Sequence, residues 1–231
     1  RFTTTGLFHV KHGESTVALL PLNFLHDGVP QLELESEWEK PKLEQFTPPS
    51  AADRSELLLQ LLARPNVASK ETLVRQYDHE VICQTVVKPF VGKECDGPGD
   101  SGVLAPLYGD PHGFVVSCGL APRYSDIDAG AMAAAAVDEA VRNAICSGVD
   151  PAKMAGCDNF CWPDPILSEK TPDGKFKLAQ LVRANRELER ACRGYMVPCI
   201  SGKDSMKNDY GKGPGKISIP PTMLFTLLGD H

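Results

Sequence analysis

Hydrophobic and polar residues alternate along the first part of the chain in the two-residue rhythm of β-strands. Apolar runs at 7–10 and 16–20 flank a turn, and a third alternating run follows at 32–38. Glycine-containing connections between such runs favour β-hairpins. From 39 to 52, prolines and charged residues replace the alternation. This change predicts a linker and a domain boundary near residue 45.

Two short helices are predicted inside the linker. The leucine-rich run 55–63 ends before Pro65, and Ser69 is a suitable N-cap for a segment that reaches His79. Glu71 falls in the first turn of that segment, where the helix dipole favours an acid. The pattern thus divides the chain into a β-hairpin segment at 1–45, a linker with short helices at 46–80, and a larger domain at 81–231.

The larger domain alternates strands with helices. Asp128 is placed to cap a long alanine-rich helix, and Gly148 follows its end. The predicted elements, in chain order, are strand 84–91, a glycine-rich loop at 92–102, strand 113–120, helix 129–147, strand 153–157, an irregular stretch at 158–165, helix 176–193, strand 195–200 and strand 217–228. This order predicts a layered α/β sandwich.

The composition excludes several classes of protein. Of 231 residues, 42% are hydrophobic and 23% are charged, which is typical of a folded domain and not of a disordered chain. A formal charge of −6 without a basic stripe argues against a nucleic-acid partner. No apolar run approaches the roughly 20 residues of a membrane span, so we expect a cytoplasmic protein with no membrane partner. Because the chain begins at Arg1 and ends directly after a strand-like run, we expect it to be part of a longer protein.

The eight cysteines do not form a metal-binding or disulfide pattern. They contain no CxxC pair, and the closest spacing, between Cys157 and Cys161, has no second pair or histidine cluster nearby. We therefore expect most of them to be reduced, buried, small hydrophobic residues.

The glycine-rich loop is the first group of residues that suits ligand chemistry. Glycines allow backbone N–H groups to approach phosphate oxygens, and Asp96 or Asp100 beside them offers hard oxygen ligands to Mg²⁺. The loop lacks a Walker-type pattern, so a solvated turn is an equally good interpretation of this stretch.

Glu139 and Asn143 form a second group on the long helix. Residues four positions apart share a helix face, so a carboxylate and an amide oxygen can face one Mg²⁺. On spacing alone, a pair that faces solvent or Arg142 is the simpler interpretation.

A third group follows a predicted strand, at SGKDS in 201–205. Gly202 offers backbone access, Lys203 a charge for a phosphate, Asp204 an oxygen and Ser205 a hydroxyl. A polar turn is the alternative. The aromatic residues near 160 fit either a pocket wall or the core.

Taken in order, five motifs resemble those of phosphoribosylformylglycinamidine synthase, the ATP-dependent amidotransferase of purine synthesis. These are KPFVG at 88–92, DGPGDSG at 96–102, DEAVRN at 138–143, CDNF at 157–160 and SGKDSM at 201–206. The stretches 26–30 and 69–79 resemble the segment between the two repeats of that family. The resemblance covers nearly the whole chain.

The resemblance implies a fold and a place in the parent enzyme. It implies an α+β domain like the N-terminal domain of aminoimidazole ribonucleotide synthetase, with a mixed sheet and helices on one face. The chain would comprise the end of the first synthetase repeat, the connector and the N-terminal domain of the second. In the family such sheets pair face to face, so the isolated chain is expected to form homodimers through its sheet.

The resemblance also implies a reaction and two cofactors, ATP and Mg²⁺. ATP phosphorylates the amide oxygen of formylglycinamide ribonucleotide, and ammonia from glutamine displaces the phosphate. The implied partners are the first repeat and C-terminal domain of the same enzyme, a glutaminase domain or subunit and the small nucleotide substrate. Because the catalytic histidines of the family lie in the first repeat, the chain is expected to be inactive alone.

The same resemblance implies site residues. The implied Mg²⁺ ligands are Asp100, Glu139 and Asn143, which favours the metal-binding interpretation of the helix pair. A protonated lysine does not ligate Mg²⁺, so Lys203 has no metal role although small family members have asparagine there. The implied ATP and substrate residues are Lys88, Gly99, Asp100, Ser101, Asp158, Gly202, Lys203 and Ser205.

Two other interpretations remain at this stage. One is another enzyme of the same superfamily, such as selenophosphate synthetase or thiamine-phosphate kinase, although about eighty residues precede the glycine-rich loop here. The other is a structural scaffold domain whose nucleotide site is not catalytic.

Overall fold

The computed structural model describes residues 2–47, 50, 54–76, 80–211 and 213–231. Its internal contacts divide the chain into two compact units, residues 1–35 and 36–231. The division falls before the proline-rich stretch near residue 45, since the segment after Glu35 packs on the larger unit. There, Lys175 forms an ion pair with Glu37 at 3.0 Å. None of the helices in the described residues is long and apolar enough to cross a membrane.

The first unit contains the predicted hairpin. Strands β1 (Leu7–His12) and β2 (Ser15–Pro21) pair antiparallel around a turn in which Gly13 has a positive φ. Helix α1 (Leu22–Asp27) follows directly. The third alternating run, 32–38, is not a strand, and this prediction was wrong. Alternation alone does not make a strand where no neighbouring strand satisfies the backbone groups.

Both short helices of the linker are present. Helix α2 (Arg54–Leu62) matches the leucine-rich run, and α3 (Glu71–Val74) follows Ser69. The Ser69 hydroxyl accepts a hydrogen bond from the Glu71 N–H at 3.2 Å, but the N-cap position is Lys70, one residue after the predicted one. Helix α3 is shorter than predicted, and residues 77–79 of the predicted helix lie outside the described part of the chain.

Six strands of the larger unit form one mixed sheet. Their order is β3-β6-β7-β12-β8-β9, and every neighbouring pair is antiparallel except β8 and β9. The pairs β4/β5 and β10/β11 form small separate hairpins. The strands are β3 (Thr85–Val87), β4 (Phe90–Val91), β5 (Gly97–Pro98), β6 (Ser101–Leu104), β7 (Phe114–Leu120), β8 (Met154–Cys161), β9 (Cys199–Ser205), β10 (Asp209–Tyr210), β11 (Ile217–Ser218) and β12 (Thr222–Asp230).

Two long helices, α4 (Ala129–Cys146) and α5 (Gly174–Tyr195), pack on one face of this sheet. Asp128 caps α4 by accepting the Gly130 N–H at 2.8 Å, and Gly148 follows with a φ of 93°. Both helices match their predicted positions. The α+β fold with a mixed sheet and helices on one face is confirmed.

The core lies between α4 and the sheet, and small residues bring the two close together. A Cβ on Gly119 of β7 would overlap the Ala136 carbonyl oxygen and lie 2.9 Å from the Ala140 nitrogen. Beside it, the Ser117 hydroxyl donates to the Ala140 carbonyl at 2.7 Å. The fully buried residues include Val103, Val115, Ala133, Ala136, Val137, Ala140, Met223, Phe225 and Leu227.

Two strand boundaries differ from the prediction. Strand β8 continues to Cys161 because β12 and β9 hydrogen-bond to both of its edges, so the irregular stretch begins only at Trp162. Residues 195–198 finish α5 and its connection, and β9 begins at Cys199. The SGKDS stretch is therefore the edge strand itself and not a loop after a strand.

The aromatic residues near 160 belong to the core, while most cysteines do not. Phe160 and Trp162 are buried with ring centroids 5.8 Å apart, which confirms the core alternative. All eight cysteines are free thiols, but only Cys192 is buried. The expectation of mostly buried cysteines was wrong, because Cys118, Cys157 and Cys161 lie on the sheet face away from the helices. The other accessible cysteines lie in loops, at the end of α4 or on the edge strand β9.

Candidate functional site

Glu139 and Asn143 lie against the end of β7. The Glu139 Oε2 atom accepts the Leu120 N–H at 2.8 Å, and Asn143 Nδ2 donates to the Cys118 carbonyl at 3.1 Å. The four-residue spacing places both side chains on the face of α4 that crosses β7. Arg142 pairs with Asp138 instead, at 2.7 Å, so the interpretation of Glu139 as its partner was wrong.

Asp100 lies at the same strand end. It immediately precedes β6, and the pairing of Ser101 with Ser117 brings it beside Cys118. Burial raises the pKa of the Cys118 thiol, and the negative charges of Glu139 and Asp100 raise it further. The structure thus brings Asp100, Glu139 and Asn143 together around one residue of β7.

The hydrogen bonds of this group leave oxygen atoms for a cation. Within the described part of the chain, the second carboxylate oxygen of Glu139 and the amide oxygen of Asn143 accept no hydrogen bond. Carboxylate and amide oxygens are ligands that Mg²⁺ prefers. Among the described residues, no group of three or more His, Cys, Asp or Glu side chains is arranged to hold a metal. The cluster suits Mg²⁺ in its ligand types, but its two carboxylates and one amide leave coordination positions to other groups.

A cleft of about 960 Å³ lies on the open face of the sheet; Asp100 of the cluster is among its lining residues, whereas Glu139 and Asn143 reach β7 from α4 and are not. The glycine-rich loop lines it with Gly99, Asp100 and Ser101, and β7 and β12 form its apolar floor with Val116 and Leu224. The linker residues 66–70 form an opposite wall that includes Lys70. The cleft therefore combines an apolar floor with a polar rim, as small-molecule sites usually do.

Arg75, which follows α3, connects the linker to the glycine-rich loop. Its guanidinium group pairs with Glu71 at 2.6 Å, donates to the Cys95 carbonyl at 2.8 Å and lies 4.8 Å from the centre of the Phe90 ring. A planar guanidinium can make these three contacts at once. Arg75 is not among the site residues predicted from the sequence, although its four-residue spacing from Glu71 indicates a pair.

The backbone of Lys88 lies against Gly99, where an added Cβ would be 3.3 Å from the Lys88 carbonyl oxygen, but its side chain leads away from the cluster. Lys88 follows β3, is exposed and forms an ion pair with Glu80 at 2.9 Å. The hydrogen bond that Lys88 donates to Glu80 and the negative charge of this carboxylate raise the pKa of Lys88. Lys88 is not part of the lining of the cleft.

The remaining predicted residues form a separate group on β8 and β9. Since β12 and β8 lie between β7 and β9, this group is roughly 14 Å from the Asp100 cluster. Asp158 covers Gly202, where an added Cβ would lie 2.9 Å from both carboxylate oxygens. Burial raises the pKa of Asp158, and the charge of Asp204 adds to the effect.

The side chains of this second group point to opposite faces of the sheet. Lys203 lies beside Cys161, with Nζ 3.9 Å from Sγ, on the face away from the helices. Ser205 is on that face too, because it pairs with Cys161. Asp158 is on the helix face, because its partner on β12 is the buried Phe225. The structure therefore does not combine Asp158, Lys203 and Ser205 into one constellation.

Comparison with known proteins identifies relatives of the whole chain. The family "AIR synthase related protein, N-terminal domain" matches residues 98–223. A phosphoribosylformylglycinamidine synthase subunit PurL of Ignicoccus hospitalis is 34% identical over 99% of this chain and 30% of its own length. The PurL subunit of an Anaeromyxobacter species is 33% identical over 100% of this chain and 29% of its own. The chain thus spans about 30% of the length of these relatives.

Solved structures share the fold. Thermotoga maritima PurL complexed with ADP superposes with a TM-score of 0.63 and 23% identity, over 97% of this chain and 32% of that one. The PurLQS structure from the same organism has a TM-score of 0.62 at 22% identity, over 98% and 32% of the respective chains. The family match covers more than half of the chain and includes the end of the glycine-rich loop from residue 98, α4, β8 and β9. The chain therefore belongs to the family of AIR synthase related proteins and contains the N-terminal domain of that family.

Proposed function

We propose that this chain is part of an ATP-dependent phosphoribosylformylglycinamidine synthase of purine biosynthesis, and that it contributes a nucleotide and Mg²⁺ site. The proposal is supported by relatives with that name that align with nearly all of the chain. The observation that carries the site is the convergence of Asp100, Glu139 and Asn143 at the end of β7, beside a cleft lined by the glycine-rich loop.

In this proposal each residue of the cluster has a separate task. Asp100 and Glu139 supply negative charge and Asn143 a neutral oxygen, and the bonds to Leu120 and Cys118 hold the α4 side chains in place. A bound Mg²⁺ would neutralise phosphate charge. The Gly99 N–H already donates to the Pro89 carbonyl at 3.0 Å. Backbone N–H groups that follow it in the loop would approach the phosphates, while the apolar floor excludes water from one side.

The reaction as a whole belongs to the longer protein. We propose that formylglycinamide ribonucleotide is the acceptor, that glutamine is the amide donor through a glutaminase domain or subunit, and that the chain alone is inactive. The incomplete ligand set supports this, since two carboxylates and one amide leave coordination positions for residues outside the chain. We also propose that Asp158, Gly202, Lys203 and Ser205 act at a second position about three strands away, and that Lys88, whose backbone lies against Gly99, acts beside the glycine-rich loop.

The site is tested by titration calorimetry of the chain with ATP in the presence and absence of Mg²⁺. We expect binding that requires Mg²⁺, and we expect Glu139→Gln to weaken it about tenfold, since the amide keeps the contact to Leu120 but removes a charge. Glu189→Gln is the matched control, because Glu189 pairs with Arg193 on the outer side of α5. Equal affinity in the Glu139→Gln variant and the unaltered chain would show that the metal assignment is wrong.

A non-catalytic nucleotide site is the second candidate function. It is favoured by the separation between the Asp100 cluster and the β9 residues, which share no ligand pocket in the described residues. The two functions differ in the intact enzyme. If Glu139→Gln abolishes nucleotide binding here but leaves turnover in the parent enzyme unchanged, the site is structural.

A further inference from the structure

Two cysteine side chains meet where α5 ends and β9 begins. Cys192 lies in the last turn of α5, Cys199 is the first residue of β9, and their sulfur atoms are 3.7 Å apart. The connection between them turns back through Met196, which has a left-handed φ of 57° and donates its N–H to the Arg193 carbonyl. The backbone therefore holds the two thiols side by side.

We propose that Cys192 and Cys199 are a modification site, a thiol pair that oxidises to an intramolecular disulfide. A disulfide needs sulfur atoms about 2.05 Å apart, so the sulfurs must approach each other by roughly 1.6 Å. Rotation of the exposed Cys199 side chain can supply this movement, since Cys192 is held in the core and Cys199 is at the surface.

The exposed thiol also determines the order of the chemical steps. With hydrogen peroxide as oxidant, the Cys199 sulfur attacks one oxygen, the O–O bond breaks, and a sulfenic acid and one water form. The Cys192 sulfur then attacks the Cys199 sulfur, the S–O bond breaks, and the hydroxyl leaves as a second water with the Cys192 proton. Two thiols and one peroxide thus yield one disulfide and two waters, with two electrons transferred to the peroxide.

The surroundings of the pair make this oxidation slow at neutral pH. Burial raises the pKa of Cys192 to about 12, and the adjacent Cys199 adds to the effect. Burial also raises the pKa of Cys199, and the charges of Asp158 and Cys157 on β8 act in the same direction, against the hydrogen bond with Cys192. Because the thiolate is the reactive form, the rate should increase with pH.

The same surroundings favour the disulfide once it has formed. A disulfide is easily reduced when the dithiol form is stabilised, for example by a thiolate of low pKa. The pKa values of Cys192 and Cys199 are both raised, so the reduced form lacks that stabilisation here. The bond would also tie α5 to β9 beside Asp158 and Gly202, and it would constrain the unfolded chain, so the oxidised protein should unfold at a higher temperature.

The test is oxidation of the folded chain with hydrogen peroxide, followed by alkylation of free thiols, trypsin digestion and mass spectrometry. Trypsin cuts after Arg190, Arg193 and Lys203, which separates Cys192 and Cys199 into peptides 191–193 and 194–203. A disulfide joins these peptides and leaves a product two hydrogens lighter than their sum. We expect this product to exceed any other cysteine pair about tenfold, and dithiothreitol to release both peptides.

Three variants complete the test. Cys192→Ser and Cys199→Ser should each abolish the joined product, and Cys157→Ser, a neighbouring cysteine on β8, should leave it unchanged. The proposal is overturned if the folded chain alkylates fully at both positions after peroxide treatment. It is also overturned if Cys199 is converted to sulfinic acid or pairs mainly with another cysteine.

Discussion

Single residues determine how closely the helices approach the sheet and how they are joined. Gly119 permits contact between β7 and α4, and Asp128 both caps α4 and pairs with Arg183 of α5 at 2.6 Å. The Arg183 guanidinium in turn lies 3.9 Å from the centre of the Trp38 ring, which fastens the segment before the linker to the helical layer. A substitution at Gly119 or Asp128 should therefore lower the stability of the whole larger unit.

Gly119→Ala should destabilise the larger unit strongly. The new methyl group would meet backbone atoms of Ala136 and Ala140, which cannot move aside without shifting α4. We expect a loss of about 3 kcal/mol in the free energy of unfolding, measured by urea denaturation. Gly194→Ala in α5 is the control, because its Cβ meets nothing within 4 Å, and we expect it to be neutral or stabilising by about 0.5 kcal/mol. Equal stability of the two variants would contradict this account of the α4 contact.

Asp128→Asn should cost stability only where the carboxylate is charged. Burial opposes ionisation, but the bonds from Arg183 and from the Gly130 N–H hold the pKa of Asp128 below its ordinary value of 3.8. The pair therefore stabilises the fold above pH 3.8, and this contribution disappears as the pH falls through the lowered value. We expect a difference of about 1 kcal/mol at neutral pH, since asparagine keeps the cap but loses the charge.

Denaturation at neutral pH and at several values below 3.8 measures this difference. Asp126→Asn is the control, because Asp126 pairs with Arg123 at 3.4 Å on the surface and should contribute almost nothing. A gap between Asp128→Asn and the unaltered chain that persists at the lowest pH would contradict the ion-pair explanation.

At the scale of elements, the linker is part of the candidate site. Residues 66–70 form one wall of the cleft, and Arg75 joins the end of α3 to the loop between β4 and β5. The β4/β5 pair closes the base of the glycine-rich loop, and Arg75 holds its Cys95 end from outside. The SGKDS residues have no such neighbour on one side, because β9 is the edge strand of the sheet and leaves them exposed there.

Arg75→Ala should loosen the glycine-rich loop. Removal of the guanidinium takes away the bond to the Cys95 carbonyl and the contact with Phe90. We expect backbone amides in 92–100 to exchange with deuterium about tenfold faster, because local opening becomes easier, and Mg²⁺-dependent ATP binding to weaken. Arg123→Ala, which also breaks a pair within one helical turn, should change neither quantity. Unchanged exchange in 92–100 would show that Arg75 does not hold the loop, whether or not ATP binds.

At the scale of the whole molecule, the sheet has two unlike faces. One face is covered by α4 and α5, and the other presents half-buried or exposed apolar residues on its central strands. Besides Val116 and Leu224, which form the floor of the cleft, these residues are Leu120, Leu228 and Ala155. An apolar sheet face of this kind normally packs against another layer, which agrees with the family resemblance to sheets that pair face to face.

The isolated chain should associate with itself through this face. We expect sedimentation velocity to show dimers whose fraction increases with concentration. We expect Leu228→Lys to leave only monomers, because it places a charge on this apolar face. Ile145→Lys, an equally drastic change on the exposed side of α4, should not alter the dimer fraction. A chain that remains monomeric at high concentration would contradict pairing through the sheet.

Local patterns determined much of the fold in advance. The α4 helix was predictable because its cap, its alanines and its terminal glycine lie within one segment, and α5 and β7 carry equally clear periodicities. Strand limits were less predictable. The extension of β8 to Cys161 and the start of β9 at Cys199 depend on hydrogen bonds from strands that are distant in sequence.

The site shows the same division between sequence and structure. The sequence alone determined the residue types, the four-residue spacing of Glu139 and Asn143, and the order of the motifs that identifies the family. Only the tertiary structure decided that Asp100 joins this pair at Cys118, that Asp158 and Lys203 lie on opposite faces, and that Cys192 touches Cys199. The physical reason is that helix and turn signals act over a few residues, whereas these contacts arise from strand register and from packing between elements that the sequence separates.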